Sequence, residues 1–274
     1  MKSSGKYLHR FVPVFVVITA MLTLFASTGH TAHVEGAIKT DDGQIHSGRI
    51  RYLSHSKKYE VIDRNARMNY PERSVVAVRV KEPDEIKQAS RLIQQERYTS
   101  AIPKLEQVVR EYKKLQWDVV ATEWLAKIYD KTGRPEKVAS AVQALKRAGS
   151  EERITGELLD IYIDALIKLK RTADVQKMLD IQIRKGTREA AAVAQIKRGD
   201  LEISQGNPKI ALRDGYLRTI VLFSAVKEAQ PEALFKAAKA FEALGRSTDA
   251  EKMRQILLAQ YPTSSYGQKL KSGT

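Results

Sequence analysis

Asp160 and Asp164 stand four residues apart, one helical turn, so both carboxylates would share a face and could divide acid and base roles. Glu151 and Glu152 form a second acidic pair. Neither pair has the company that hydrolysis or group transfer requires. The chain has no cysteine, which excludes a thiolate nucleophile, thiolate metal sites and disulfides. It has five histidines, and all precede the helical region, so no Ser-His-Asp arrangement can form inside that region. G-x-S-x-G, H-E-x-x-H, the P-loop and G-x-G-x-x-G are absent. His33, His46 and His55 follow no ligand spacing and have no carboxylate cluster beside them, so surface histidines are expected rather than metal ligands. The reading is of a non-enzyme with no catalytic residue, no metal and no cofactor. The helix-borne acids are expected to be solvated.

The formal net charge is +15 over 274 residues, which raises anionic partners. Arg49, Arg51, Lys57, Lys58, Arg64 and Arg67 lie among Tyr52, Tyr59 and Tyr70, the mixture of an aromatic and basic nucleic-acid face. The first residues argue against that use. Lys2, Lys6 and Arg10 precede an uncharged apolar run from Val12 to Ala26, and small residues follow it. Basic, apolar and small segments in that order read as a secretory signal peptide over 1–32. If uncleaved, it would hold the chain at the inner membrane, although the run is short of the ~20 residues of a spanning helix. An exported chain without cysteine fits the bacterial periplasm and does not meet nucleic acid. A solvated strand face with tyrosines at its edges is expected instead.

What must position these residues comes in two parts. Over 33–82, VEGAIKT and QIHSGRIRYL alternate around Asp41-Asp42-Gly43, a hairpin signal. YEVID, RMNY and VVAVRV complete five short strands. A sheet this small buries its apolar side by folding on itself. In strand length and turn placement it resembles the SH3-like and Sm-like barrels.

From Asp84 on, apolar residues recur at three- and four-residue steps, the helical period. A small or β-branched residue opens a helix after a polar or Gly-containing turn at Ala101, Val138, Val175, Ala211 and Ala250, in steps of 37, 37, 36 and 39. Twelve residues before each stands Ala89, Ala126, Ile163, Gly199 or Ala238, mostly small, as a close helix crossing requires. Three further on come Leu92, Tyr129, Leu166, Glu202 and Phe241, large apolar side chains except for Glu202. Self-similarity near this period indicates stacked helical hairpins. These columns resemble the tetratricopeptide repeat (TPR) family over roughly 83–271. The chain would then be mainly α, an α-solenoid of about five hairpins behind the small all-β barrel. Gly215 falls where a bulky residue belongs in the fourth copy, and Tyr216 would suit that slot better. Trp117 and Trp124 are expected to pack within the second copy. Arg198-Gly199-Asp200, an adhesion-like tripeptide, falls in a helix and reads as coincidence.

The resemblance implies a concave face formed by the first helix of each hairpin. On it would lie Glu123, Lys127, Asp160, Asp164, Asp200 and Lys239, mixed in sign. The Lys and Asn arrangement with which the family grips a peptide carboxylate is absent from the matching positions. The expected function is a protein-interaction scaffold of the cell envelope, its partner unidentified. The alternative is a module that binds an anionic envelope polymer or membrane surface through its basic charge.

Overall fold

The structure is a computed structural model that describes residues 33–64 and 66–273. The signal segment read at 1–32 lies outside them. Five strands come first: β1 (Val34–Thr40), β2 (Ile45–Leu53), β3 (Lys58–Asp63), β4 (Ala66–Pro71) and β5 (Val75–Val80). They form one antiparallel sheet in the order β4-β3-β2-β1-β5. A short 3-10 turn at Glu72–Ser74 carries the chain from β4 to β5. Alternation sends Ile38, Ile50, Tyr52, Tyr59, Val61 and Val80 to one buried core. Tyr52 and Tyr59 are therefore core residues. The exposed aromatic face expected of them is corrected by burial, because the helical part covers their side of the sheet.

The helices are α1 (Asp84–Gln94), α2 (Tyr98–Glu111), α3 (Trp117–Lys131), α4 (Pro135–Arg147), α5 (Gly156–Lys168), α6 (Thr172–Lys185) and α7 (Arg188–Ser204). They continue as α8 (Pro208–Ala211), a π-helical turn at Leu212–Tyr216, α9 (Leu217–Leu222), α10 (Gln230–Ala243), α11 (Ser247–Gln260) and α12 (Ser265–Ser272). None of the described helices is long and apolar enough to cross a membrane.

One turn geometry joins the two helices of each of the five pairs. Glu96, Gly133, Lys170, Gly206 and Gly245 each take positive φ just after a helix. Behind them the N–H groups of Arg97, Arg134, Arg171, Asn207 and Arg246 bond the carbonyls five residues back. This is the Schellman stop, which satisfies the last carbonyls of a helix. The guanidiniums of Arg134 and Arg246 then lie over the rings of Tyr129 and Phe241, at 5.2 and 4.8 Å. Past each turn, Ala101, Val138, Val175, Ala211 and Ala250 are 0% exposed. Ala89, Ala126, Ile163, Gly199 and Ala238 are buried opposite them. In the fourth pair, Leu201 supplies the buried bulk and Glu202 turns aside to accept a bond from Asn207 Nδ2 at 3.1 Å.

The sheet and the helices share a core. Leu115, in the short connection between α2 and α3, is 0% exposed and packs with the sheet residues. Lys114 and Gln116 on either side take positive φ, 60° and 81°, which aims Leu115 into the sheet. The Tyr59 hydroxyl donates to the Lys114 carbonyl at 3.2 Å, and the Trp117 indole donates to the Val80 carbonyl at 3.3 Å. Lys114 Nζ bonds Glu72 Oε1 at 2.8 Å and also the Gly149 carbonyl. Buried Asp118 accepts from the Lys114 N–H at 2.9 Å and pairs with Arg153 at 2.9 Å. Trp117 is thus partly committed to the sheet, a difference from the expectation that it packs only among helices.

Candidate functional site

Helices α3, α5, α7 and α10 lie in contact in series. On α3, α5 and α10 charged residues stand at i, i+4 spacing, and on α7 Lys197 and Asp200 at i, i+3, which sets them on one strip of helix surface. On α3, Lys127 pairs with Glu123 at 2.8 Å and reaches Glu157 of α5 at 2.7 Å. On α7, Lys197 Nζ lies 2.6 Å from both oxygens of Asp164 on α5. On α10, Lys236 pairs with Glu232 and with Asp200 of α7, each at 2.6 Å. The Tyr216 hydroxyl donates to Asp200 at 2.9 Å. Three lysines therefore stitch four helices together along one line.

Partial burial sets the protonation of this line. Burial alone would lower the Lys236 ammonium, but Asp200 and Glu232 outweigh it and hold it above its usual value. Burial would raise Glu232, yet Lys236, then the charge of Lys197 and a hydrogen bond with Tyr266 of α12, keep it below the ordinary range. Asp164 is raised by burial, with Lys197 opposing. Asp160 is also raised by burial; Lys197 opposes, and the carboxylates of Asp164, Glu232 and Glu157 add to the rise. The acids at 160 and 164, expected to be solvated, are only partly exposed, and Lys197 holds Asp164. Asp160 differs from the others in having no hydrogen bond or ion pair among the described residues.

A raised carboxyl makes stability fall as pH rises. Below the unfolded value near 3.8 both states are protonated and Asp160 costs nothing; above the folded value the cost is complete. Asp160→Asn should therefore raise the melting temperature at pH 7, and the gain should shrink as pH falls into the carboxylate range. Melts of both chains across that range check it. A variant less stable at pH 7 would contradict the burial cost.

Next to this line lies a pocket of about 350 Å³ between α1 and α3. Ile93, Tyr98, Trp124 and Ile128 give it an apolar wall, and Lys127 joins it to the charged strip. Lys131 closes one side, bonded to Glu96 at 2.9 Å and to the Tyr98 hydroxyl at 2.7 Å. Trp124 thus packs on the helical core with one side and lines an open pocket with the other.

Of the six residues read from the sequence, Glu123, Lys127, Asp160, Asp164 and Asp200 come together on this strip. Lys239 does not join the ion pairs; it is exposed and sits 4.6 Å over the Phe235 ring. Lys197, Lys236, Glu157 and Glu232 were missed. Lys197 and Lys236 share one position, two residues before the packing residues Gly199 and Ala238, and reading that column would have found both. In Arg198-Gly199-Asp200 the arginine pairs with Asp180 at 2.5 Å and the aspartate with Lys236, so internal packing uses all three. Comparison with family models, curated proteins and solved structures gives no match for the chain.

Proposed function

We propose that the chain is a non-enzymatic protein-interaction scaffold, exported to the bacterial periplasm, that holds a partner on the strip formed by α3, α5, α7 and α10. In this reading the five helical pairs are TPR-like hairpins of an α-solenoid, and the five-stranded sheet is a small SH3-like barrel fixed to its first two pairs. The observation that carries it is the line of ion pairs from Lys127 to Glu232, which runs across successive helices. Half-buried pairs of this kind add little to stability after their desolvation cost. They do fix charged groups in place before a partner arrives, which reduces the ordering cost of binding.

The test is crosslinking in the native envelope followed by capture of the full-length chain. A defined protein recovered at moderate salt is the expected result. Binding only to purified anionic glycan or lipid, fading steeply with salt and with no protein captured, would replace the scaffold by a charge-driven surface module.

A further inference from the structure

The strip carries six carboxylates, Glu123, Glu157, Asp160, Asp164, Asp200 and Glu232, against the three ammonium groups of Lys127, Lys197 and Lys236. That is a local net charge of −3 on a chain whose formal net charge is +15. Each lysine is already neutralised by the protein's own acids, so the surplus is negative. Asp160, which has no hydrogen bond or ion pair among the described residues, stands within it. At one end the strip meets the apolar pocket of Trp124 through Lys127, which belongs to both.

We infer that this face takes an extended segment of a partner protein, with one large apolar side chain seated in the Trp124 pocket and basic residues laid along the strip toward Asp200. The inference rests on the reading of this face as a protein-binding surface and adds the chemistry of what it binds. A partly buried tryptophan beside Ile93 and Ile128 gains most from desolvation by an apolar side chain, and tryptophan is the residue type most often dominant at such contacts. A surplus of carboxylates in partly desolvated surroundings favours Lys or Arg and rejects acids, because like charges brought together there cost affinity. The sign of the whole molecule works the other way. Its field attracts anions and repels a cationic peptide, so uptake of a cationic peptide reports this face and not the net charge.

Fluorescence anisotropy with the full-length chain tests the inference. The probe is a ten-residue labelled peptide with one Phe followed by four Lys spaced by Ser and Gly. Two controls replace every Lys by Glu, or the Phe by Ser. The Phe-Lys peptide should bind more tightly than either control. Trp124→Ala should weaken it by roughly tenfold or more, as loss of an aromatic anchor does. Asp160→Asn should weaken it by about five- to tenfold while leaving the fold intact by circular dichroism, since a purely structural role would give no loss of affinity. Binding of the Glu peptide at equal or higher affinity, no binding of the Phe-Lys peptide, or affinities unchanged in both variants would each overturn the inference. If a protein is still captured from the envelope in that case, the scaffold reading stands and only the partner chemistry falls.

Discussion

Leu115→Ala is expected to destabilise the protein by about 2–5 kcal/mol, with the loss felt in the sheet as well as in the helices. The side chain is 0% exposed, and it belongs to the connection between α2 and α3 although the core it fills is that of the sheet. Truncation removes apolar burial and leaves a void among Ile50, Tyr52, Tyr59 and Val61. How much that void costs depends on whether the walls can close over it. Here they are pinned. The Lys114 carbonyl accepts from Tyr59, its ammonium is fixed by Glu72 and Gly149, and its N–H is held by Asp118. Urea unfolding followed by circular dichroism gives the loss, and amide exchange locates it. Amides of β3 and β5 should lose protection together with those of α2 and α3. A loss below about 1 kcal/mol with the sheet amides unchanged would mean that the sheet does not depend on the connection.

Why that joint was not read from the sequence follows from its residues. Leu115 is one apolar residue in Lys-Lys-Leu-Gln, where no period of 2 or 3.6 marks it. One of its ionic contacts, from Lys114 to Glu72, joins positions 42 residues apart. The five strands were legible because alternation and turn residues are local signals, and all five lie where they were read. What alternation cannot say is which side of a small sheet another part will cover, and so Tyr52 and Tyr59 were taken for surface. The helical register was legible for the opposite reason: a requirement repeated five times leaves five independent traces. Ala101, Val138, Val175, Ala211 and Ala250 sit at the same depth because each opens the second helix at the same crossing. The charged strip was half legible. One column gave Lys127, Asp164 and Asp200, but Lys197 and Lys236, the partners of the two aspartates, come from a neighbouring column. Only the crossing of adjacent helices brings the two together.

Gly215→Ala should also destabilise, by about 1–3 kcal/mol, where an ordinary helical Gly→Ala change would stabilise by about 1 kcal/mol. The reason is the approach of two backbones. A Cβ on Gly215 would lie 2.5 Å from Gly199 Cα and 2.7 Å from Gly199 N, which are main-chain atoms that no rotamer change can move. The π-helical turn at Leu212–Tyr216 makes this contact possible. Its wider turn inserts one extra residue, so Gly215 meets α7 and Tyr216 moves into the position of the missing bulky side chain. That residue is 2% exposed, and its ring lies where a Cβ on Gly199 would have to go. Gly199→Ala should therefore destabilise as well. The two changes oppose the same approach of α7 to the π turn. Once the helices have separated to admit one methyl group, the second costs less, and the double variant should lose less stability than the two single losses together. Thermal melts of the three variants decide this, and a stabilised Gly215→Ala chain would refute the close crossing. The same separation would draw the Tyr216 hydroxyl away from Asp200, next to Lys236. If the strip is the binding surface, Gly215→Ala should then weaken the Phe-Lys peptide even though residue 215 lies outside the line of ion pairs.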